Sequence, residues 1–340
     1  MPRNVTIALD AMSGDRGPDA VLPAALAVLE KDDSADFLLV GLKDTLKRAQ
    51  KEAGKRFGDR LRFLEATEVV GMDEAPADAL RRKKNSSMRL AIDAVRTGQA
   101  DACVSSGNSG ALMATARYVL KTLPGVDRPA MISAVPCRGD GYTFMLDLGA
   151  NVGCTARHLL QFAIMGTVIA EGILDIQRAR VALLNIGLED IKGDDLVREA
   201  AELLSRSTLN YVGYIEGDGI FNGKADVVVS DGFVGNVALK TMEGVADFIA
   251  AILREEFRRN PLRQAQGVAA SVALNAVRER LDSRRYNGAS LVGLNGIVIK
   301  SHGAADEIAF ETAVRTAIVE ARKGVPVQIA NLMDAQCTRA

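Results

Sequence analysis

Short runs of apolar and β-branched residues alternate along this chain with longer segments of helical spacing, and this alternation most constrains the fold. The apolar runs are continuous, which is typical of strands buried on both faces of a parallel sheet. We therefore predict an α/β protein with three α/β/α layers, a mainly parallel sheet and helices on both faces. The predicted strands are VTIALDA, DFLLVG, LRFLEA, DACVSSG, FMLDLGA, VALLNIG, NYVGYIE, DVVVSDG and GIVIKSHG.

The chain has 340 residues, of which 48% are hydrophobic, and this suits one large α/β unit or two lobes. No internal repeat, low-complexity tract or linker rich in proline and glycine divides the sequence. We predict a single catalytic unit over residues 1–340, either as one body or as two lobes that share a cleft. Helical patterns over residues 237–259 and 268–282 predict a helical hairpin that protrudes around residues 245–283.

Predicted strands repeatedly end in a polar, glycine-rich turn that leads into a helix. Ligands of open α/β sheets bind outside the carboxyl ends of the strands. We therefore expect these turns to converge on one cleft, since tight connections alone do not explain so many of them. The six turns are ALDAMSGDRGP, SSGNSGA, LDLGANVG, LNIGLEDIKG, VSDGFVGNV and IKSHGAAD.

The glycine-rich turns match none of the common nucleotide-binding or nucleophile motifs. A GxGxxG fingerprint is absent, and GDGIFNGK has Asn222 where the third glycine would stand. The same segment is one residue too short for a Walker A loop and carries Ala225 in place of the hydroxyl residue. A GxSxG elbow fails at Ala111. The chain has two histidines, so a triad of Ser109, His302 and an aspartate is kept as an alternative.

Charge balance and cysteine spacing exclude further classes. Lys plus Arg number 42 against 43 Asp plus Glu, so no global positive field recruits nucleic acid. The four cysteines form no CxxC pair, which indicates reduced thiols rather than a zinc site or a disulfide framework. Aspartates are scattered without a histidine pair, so we expect no metal site and no cofactor. These residues are Cys103, Cys137, Cys154 and Cys337 for the thiols, and Asp10, Asp15, Asp147 and Asp231 for the carboxylates.

The sequence carries no pattern for secretion or for crossing a membrane. The opening MPRNVTIALD lacks the apolar region of a signal peptide, because charged and polar residues interrupt it. The apolar stretch LLQFAIMGTVIA is far short of the roughly 20 residues that a membrane-spanning helix needs. We expect a cytoplasmic protein, and peripheral contact with a membrane stays open.

The polar residues of the expected cleft are suited to binding an anion. Glycine turns and helix N-termini direct backbone N–H groups at negative charge, and Lys192 or Lys300 would add a cation. We therefore predict a site for a small oxyanion such as phosphate, beside a carbonyl whose oxygen becomes negative during reaction.

Seven segments, in order, closely resemble the sequence blocks of the phosphate acyltransferases of bacterial phospholipid synthesis (PlsX). The resemblance runs from residue 7 to residue 323. It implies acyl transfer from acyl-[acyl-carrier protein] to inorganic phosphate, giving acyl phosphate and free carrier protein. It also implies a fold similar to isopropylmalate dehydrogenases and phosphotransacetylases, usually as a homodimer. The segments are IALDAMSGDRGP, SSGNSGALM, MLDLGANV, LLQFAIMG, ALLNIGLEDIKG, IEGDGIFNGKADVVVSDGFVGNVALKTMEG and YNGASLVGLNGIVIKSHG.

Departures from the family pattern fall in the turns. Ser13 stands where the family usually has glycine, and Ser106 and Ser109 replace alanine and threonine. Leu188 replaces one carboxylate of the usual LNIGEE turn, while Glu189 keeps the other. The usual YGGAPLLG reads YNGASLVG here. None of these changes deletes a polar group that the chemistry plainly needs.

The implied reaction assigns roles to residues of the cleft. Phosphate is already a nucleophile and a thioester is already activated, so catalysis can rest on positioning and on stabilising the tetrahedral oxyanion. Asn108 and Ser109 would hold phosphate or the oxyanion, while Lys300 would offset charge. His302 would also offset charge and protonate the departing thiolate, or it would be structural only. The expected catalytic residues are Asn108, Ser109, Lys300 and His302, and the expected substrate-binding residues are Asp10, Ser13, Gly14, Asp15, Gly107, Asn151, Asn185, Glu189, Lys192, Asp231, Gly235 and Asn236.

Two arginine-rich segments are candidate partner surfaces. Acyl-carrier proteins are acidic, so a local basic patch should receive them, and LRRKKNSSMR at residues 80–89 is one candidate. LREEFRRNPLR at residues 253–263 places apolar residues among arginines at a helical turn, which favours contact with anionic lipid. A hairpin that packs at a dimer interface is the alternative. The residues expected at this partner or membrane surface are Arg254, Phe257, Arg258, Arg259, Leu262 and Arg263.

Other functions stay open at this level. A phosphotransacetylase would use coenzyme A in place of the carrier protein, and the arginine patches favour the carrier. An NAD-dependent decarboxylating dehydrogenase of the same fold needs clustered aspartates around a divalent metal, which the sequence does not assemble. A non-catalytic scaffold would only recruit the downstream acyl-phosphate:glycerol-3-phosphate acyltransferase, and the polar turns would then have no evident use.

Overall fold

The computed structural model describes residues 4–139 and 141–337 of the chain. Residues 1–3 and the side chain of Cys337, both considered above, lie outside the described part. The strands are β1 (Val5–Asp10), β2 (Ala35–Gly41), β3 (Leu61–Glu65), β4 (Ala102–Ser105), β5 (Ala130–Pro136), β6 (Tyr142–Leu146), β7 (Arg180–Leu184), β8 (Asn210–Ile215), β9 (Val227–Val229), β10 (Ala289–Val292) and β11 (Ile297–Lys300). The helices are α1 (Pro18–Lys31), α2 (Lys43–Ala53), α3 (Pro76–Arg82), α4 (Ser87–Arg96), α5 (Ser109–Leu120), α6 (Ala156–Leu174), α7 (Asp195–Arg206), α8 (Gly232–Arg258), α9 (Pro261–Ala269), α10 (Ser271–Leu281), α11 (Glu307–Lys323) and α12 (Val325–Cys337).

The strands form one sheet whose direction reverses in the middle. Five parallel strands in the order β3-β2-β1-β4-β11 make a first block, and four in the order β6-β9-β7-β8 make a second block. Between the blocks, β10 is antiparallel to β11 and β5, and β5 is antiparallel to β6. The prediction of an α/β fold with a mainly parallel sheet is confirmed. The two strands that reverse the direction, β5 and β10, were not among the predicted strands.

Helices cover both faces of each block, because the strands are apolar on both faces. In β1, Ile7 and Leu9 pack with α1 and α11, while Ala8 packs with α4 and α5 on the other face. In the second block, Val227 packs with α6 on one face and Val228 packs with the start of α8 on the other. The result is the predicted three-layer arrangement, with a separate apolar core on each face of each block.

Polar cap residues fix where the helices begin after the turns. Asn108 accepts a hydrogen bond from Ala111 N at 2.9 Å at the start of α5. Asp231 and Asp306 cap α8 and α11 in the same way. Each such cap contributes about 1 kcal/mol to stability, because it satisfies one of the backbone N–H groups that a helix leaves without an acceptor. The caps place helix N-termini directly at the ends of strands.

The 27-residue helix α8 packs on the sheet only near its beginning. Ala238, Leu239 and Met242 pack against the second block, and beyond them most large apolar side chains of α8 are exposed. The region predicted as the second helix of a hairpin, residues 268–282, is divided between α9 and α10 at Ala270.

Candidate active site

The six polar turns lie at two opposite edges of the sheet, so the expectation of a single cleft at the strand ends is wrong. The turns after β1, β4 and β11 share one edge, which we call the lysine edge after Lys300. The turns after β6, β7 and β9 share the opposite edge, which we call the aspartate edge after Asp147. The strand pairings fix this arrangement: the start of β10 pairs with the end of β11, whereas the end of β6 lies beside the start of β5. The reversal at β10 and β5 is the cause, because strand ends share an edge only within a parallel block.

A pair of serines joins the first two turns of the lysine edge. Ser106 N donates to Ser13 Oγ at 2.9 Å, and Ser106 Oγ donates to Ser13 O at 2.8 Å. A Cβ on Gly14, whose φ is 83°, would lie 2.5 Å from Ser106 Oγ, so glycine is required there. Asp15 N donates to Gly303 O at 2.8 Å and ties in the third turn. Ser13 and Ser106, which both depart from the family pattern, are thus hydrogen-bonded to each other.

Lys300 ends β11 with its ammonium group among these turns. The residue is 8% exposed, and Nζ donates to Ser106 O at 3.4 Å and to Ser301 O. Burial, reinforced by Lys240, lowers the pKa of Lys300 to about 8, and Asp15 acts in the opposite direction. Both hydrogen-bond acceptors described for Nζ are neutral carbonyl groups, so the cation is left to attract an anion.

Lys240 brings the second block to the lysine edge. Its helix, α8, begins at the aspartate edge and runs back along the sheet, which places Lys240 close enough to Lys300 to act on its charge. Lys240 is exposed and forms an ion pair with Glu243 at 2.7 Å. Lys240 was not predicted from the sequence, because a lysine within a helix carries no turn signal. The site is therefore bounded by both blocks through α8.

Asp10 is a buried carboxyl group beneath the lysine edge. Its Oδ2 accepts from Ser105 Oγ at 2.7 Å, and Oδ1 accepts weakly from Met12 N at 3.4 Å. Burial raises the pKa of Asp10, and hydrogen bonds from Ser87 and Ser105 act against that rise. These contacts hold the strand ends together and leave little of Asp10 for a ligand.

Asn108 caps α5 and Ser109 is its first residue, and the two side chains have different roles at this helix N-terminus. The Asn108 carboxamide caps the helix and donates from Nδ2 to Met72 O at 2.5 Å and to Glu74 O at 3.2 Å. These hydrogen bonds therefore use the Asn108 side chain to hold the loop before α3 in place. Ser109 is exposed in the first turn, where backbone N–H groups lack intrahelical acceptors. Ser109 and the N–H groups beside it are better placed to meet an anion than the Asn108 carboxamide.

His302 is exposed at the turn after β11. Its backbone N–H donates to Asn287 Oδ1 at 2.8 Å, and its Nδ1 accepts from Ala304 N at 3.2 Å. An imidazole whose Nδ1 accepts carries its proton on Nε2, so the outer nitrogen is a hydrogen-bond donor. This arrangement favours donation to an oxyanion over transfer of a proton.

Asn287 is a residue of the lysine edge that sequence analysis did not assign. Its Nδ2 donates to Ser301 Oγ at 2.7 Å and to Ala309 O at 2.7 Å, and its Oδ1 accepts from His302 N. One carboxamide thus fastens the turn that carries Lys300 to α11. The signal was present, since Asn287 stands where the family pattern usually has glycine.

Asp147 organises the aspartate edge. It is 0% exposed, and its carboxylate accepts from Met131 N at 2.9 Å, Ala150 N at 3.0 Å, Asn151 N at 2.7 Å and Asn151 Nδ2 at 2.9 Å. Burial raises the pKa of Asp147, and these hydrogen bonds oppose the rise. A Cβ on Gly235 would lie 2.0 Å from Asp147 O, so glycine lets α8 start against this residue. Asn151 and Gly235 therefore help to hold the buried side chain and backbone of Asp147 in place.

Asp231 and Asn236 flank the start of α8 at the same edge. Asp231 accepts from Phe233 N at 2.8 Å and from Cys154 N at 3.1 Å. Burial alone would raise the pKa of Asp231, but these backbone hydrogen bonds lower it overall. Asn236 is exposed and lies over Gly149.

The turn after β7 carries the remaining predicted substrate-binding residues. Asn185 is buried, and its Nδ2 donates to Lys192 O at 3.3 Å, while the side chains of Glu189 and Lys192 are exposed. The strand directions place this turn at the aspartate edge, away from the strand end that carries Lys300. The structure therefore brings the predicted residues together as two groups.

The residues predicted for a partner or membrane surface lie at the end of α8 and the start of α9. Arg254, Arg258 and Arg259 are exposed, Leu262 is 70% exposed and Phe257 is half-buried. The two residues Arg259 and Arg263 both pair with Glu256. Exposed basic and apolar residues thus lie close together in the chain here, and their role as a partner or membrane surface stays a prediction.

Within residues 4–139 and 141–337, no helix combines the length and the apolar character needed to cross a bilayer. Over the same ranges, histidine, cysteine and acidic side chains nowhere gather in threes as metal ligands would.

Solved structures of known proteins share this fold. A phosphotransacetylase from Streptococcus pyogenes matches with a TM-score of 0.61 and 19% identity, covering 94% of each chain. The EutD phosphotransacetylase from Staphylococcus aureus matches with a TM-score of 0.60 and 17% identity, also covering 94% of each chain. At this identity the likeness shows the fold alone.

Curated proteins found by sequence similarity are much more nearly identical to this chain than these solved structures are. The phosphate acyltransferase of Alkalilimnicola ehrlichii is 58% identical over 97% of this chain and 96% of its own length. That of Halorhodospira halophila is 56% identical over 96% of this chain and 95% of its own length. The family described as "Fatty acid synthesis protein" matches residues 5–328. The chain therefore belongs to this family, and its close relatives are named phosphate acyltransferases.

Proposed function

We propose that this chain transfers an acyl group from acyl-[acyl-carrier protein] to inorganic phosphate, as a phosphate acyltransferase (EC 2.3.1 class) of bacterial membrane phospholipid synthesis. Nearly full-length identity of 51–58% to phosphate acyltransferases supports the reaction. The observation that carries the proposal is Lys300, a buried ammonium group whose described hydrogen-bond acceptors are neutral carbonyl oxygens in the turns after β4 and β11.

Phosphate would bind between Lys300 and the N-terminus of α5. The ammonium group supplies a full charge, and the first turn of α5 supplies backbone N–H groups and the Ser109 hydroxyl. Lys240 would complete the cation pair from the opposite side of the site. Gly107 lets this turn pack closely against α4, since a Cβ there would lie 2.6 Å from the Cε of the buried Met88.

The reaction needs no covalent enzyme intermediate. A phosphate oxygen forms a bond to the thioester carbon, and the carbonyl oxygen becomes an oxyanion that the Nε2–H of His302 can stabilise. The C–S bond then breaks, and the carrier leaves as a thiolate that takes a proton from solvent. Because a thiol pKa is about 8.5, this thiolate leaves without a strong general acid.

The direct test measures phosphate-dependent release of free carrier protein from palmitoyl-carrier protein, with acetyl coenzyme A as a competing donor. We expect release from the carrier and trapping of acyl phosphate by hydroxylamine. Turnover of acetyl coenzyme A alone would identify a phosphotransacetylase. No product from either donor would indicate a scaffold.

We further infer that the chain forms a homodimer through α8. Val245, Phe248, Ile249 and Ile252 are exposed, and their spacing of three and four residues places them on one helical face. Such a stripe is stable in water when another apolar face covers it. Sedimentation should give a dimer for the wild type and a monomer for Phe248→Asp.

We also propose cytoplasmic localisation with peripheral contact between the helical hairpin and the inner face of the membrane. Leu262 and Phe257 would enter the lipid interface while the neighbouring arginines contact anionic headgroups. This placement would bring acyl phosphate to the downstream acyl-phosphate:glycerol-3-phosphate acyltransferase. We propose that the whole chain acts as a single catalytic unit. Flotation with phosphatidylglycerol vesicles tests it, because a Phe257→Glu, Leu262→Glu variant should stay unbound.

A further inference from the structure

A second basic surface lies on α3, α4 and α5, well separated in sequence from the hairpin. An exposed tyrosine stands at its centre: Tyr118 is 54% exposed, with Arg89 Cζ 5.4 Å and Lys121 Nζ 4.6 Å from its ring centroid. Tyrosine and arginine exposed together are typical of protein interfaces, where the ring supplies contact area and the cations supply direction. We call this surface the tyrosine face; its residues are Arg81, Lys84, Arg89, Arg117, Tyr118 and Lys121.

The tyrosine face has an excess of positive charge, although the whole chain has a formal charge of −1. Its nearby carboxylates are already neutralised: Glu74 pairs with Lys83 at 2.6 Å, and Asp78 pairs with Arg82 at 3.4 Å. Asp93 likewise pairs with Arg89 at 3.0 Å.

Four exposed cations on this face have no carboxylate partner among the side chains that the structure describes; they are Arg81, Lys84, Arg117 and Lys121. Asp73, in the loop before α3, is an exposed carboxylate at the border of the face. Glu68 is a second carboxylate beside the face, because its Oε2 accepts from Asn85 N at 2.8 Å. The balance of four cations against these two carboxylates favours an acidic partner.

The tyrosine face adjoins the proposed phosphate site through two elements. α5 begins at Ser109 in the site, and Tyr118 lies nine residues further along, about 14 Å along the helix axis. The loop before α3 also borders the site, because Asn108 holds its carbonyl groups and Met72 Cε lies 2.9 Å from where a Cβ of Gly303 would stand. A partner on this face would therefore sit beside the entrance to the site.

We propose that the tyrosine face is the docking surface for the acidic carrier protein that delivers the acyl thioester. This inference rests on the proposed function and specifies where its protein substrate binds. A lipid surface fits this face poorly, because its exposed large apolar groups are Tyr118 and, at the border, Met72. The end of α8 and the start of α9 differ, since Leu253 and Leu262 there are both exposed large apolar residues. The two basic surfaces thus serve two kinds of acidic partner.

Charge reversal on the face tests the proposal. Two double variants reverse charge on the face: one combines Arg117→Glu with Lys121→Glu, and the other combines Arg81→Glu with Lys84→Glu. Each places two carboxylates where the carrier protein brings its own. Each should raise the KM for palmitoyl-carrier protein roughly tenfold or more, with a weaker dependence on salt than in the wild type. Turnover of a short acyl-pantetheine thioester, which lacks the protein, should stay within about twofold. Arg206→Glu, a charge reversal at an exposed residue of α7, is the matched control and should alter neither donor.

The outcomes separate docking from other roles. An unchanged KM for palmitoyl-carrier protein in both double variants would overturn the proposal. Equal losses with both donors would also overturn it, because the face would then act on the chemical step. Titration of fluorescent carrier protein against each enzyme gives a readout independent of turnover. If the wild type releases no carrier yet binds it, and the double variants do not, the proposed reaction fails and the docking surface stands.

Discussion

The two edges of the sheet are built from similar turns and hold opposite charges. At the lysine edge, glycine-rich turns lie around an ammonium group whose described hydrogen-bond acceptors are two carbonyl oxygens. At the aspartate edge, turns of the same composition surround a carboxylate that already accepts four hydrogen bonds. A glycine-rich strand end therefore predicts a close approach of backbones, while the buried charged side chain beside it determines whether the site needs a ligand.

The largest effect should come from removing the cation of the lysine edge. Lys300→Met is expected to lower kcat/KM for phosphate by about 10²- to 10³-fold, because both phosphate binding and oxyanion stabilisation lose their full charge. Lys300→Arg keeps the charge and should lose less. Lys192→Met, at the aspartate edge, should lose less than about tenfold in the same steady-state assay. Equal losses for Lys192→Met and Lys300→Met would show that the two edges of the sheet do not differ in their need for a cation.

Removing the charge of the aspartate edge should affect stability rather than chemistry. Asp147→Asn places an amide N–H₂ against backbone donors, and we expect unfolding free energy to fall by about 3 to 4 kcal/mol. Urea denaturation measures this loss, and the activity per folded molecule should change less than about twofold. Asp33→Asn, at an exposed carboxylate, is the control. A stable Asp147→Asn enzyme with little activity would assign Asp147 to the reaction.

A third buried carboxyl group extends this contrast, because the structure describes a single hydrogen-bond donor to it. Glu320 of α11 accepts from Ser290 Oγ at 2.9 Å, and burial raises its pKa to about 7. The folded state therefore holds this proton more tightly than the unfolded state. The stabilisation is complete below about pH 4.5 and is lost as the pH rises through about 7, a change of about 3 kcal/mol.

Glu320→Gln should remove this pH dependence. We expect the variant to unfold at higher urea concentration than the wild type at pH 8, with a much smaller difference at pH 5. A difference of the same size at both pH values would mean that the Glu320 carboxyl group does not titrate in this range.

The smallest effect should come from the residue that fastens the lysine edge. Asn287→Gly restores the usual residue of the family pattern and removes hydrogen bonds to Ser301, His302 and Ala309. We expect kcat to fall about threefold with little change in KM for phosphate, because the turn loosens without losing Lys300. Asn287→Asp, which keeps the acceptor for His302 N, should recover part of the loss. A change confined to KM would place Asn287 in binding.

Particular residues show which parts of this structure the sequence predicts. Continuous apolar runs predicted the parallel blocks, and strand-end motifs located Ser109, Lys300 and His302 at one edge. The reversal was missed because β10 has four residues, ASLV, between glycines and reads as part of a turn. β5, AMISAVP, has mixed burial and ends in proline. Lys240 and Asn287 escaped notice because they reach the site from a long helix and a distant segment, which local spacing does not encode.

The insertion of β11 between β4 and β10 determines when the site can exist during synthesis. β4 pairs with β1 on one side and with β11 on the other, and β11 leaves the ribosome only after most of the chain. Until then, β4 is the outermost strand of the nascent first block, and its unpaired backbone groups are a template for pairing with other chains. The same late strand carries Lys300. An incomplete chain therefore lacks the Lys300 ammonium group, and the step that closes the sheet also completes the candidate site.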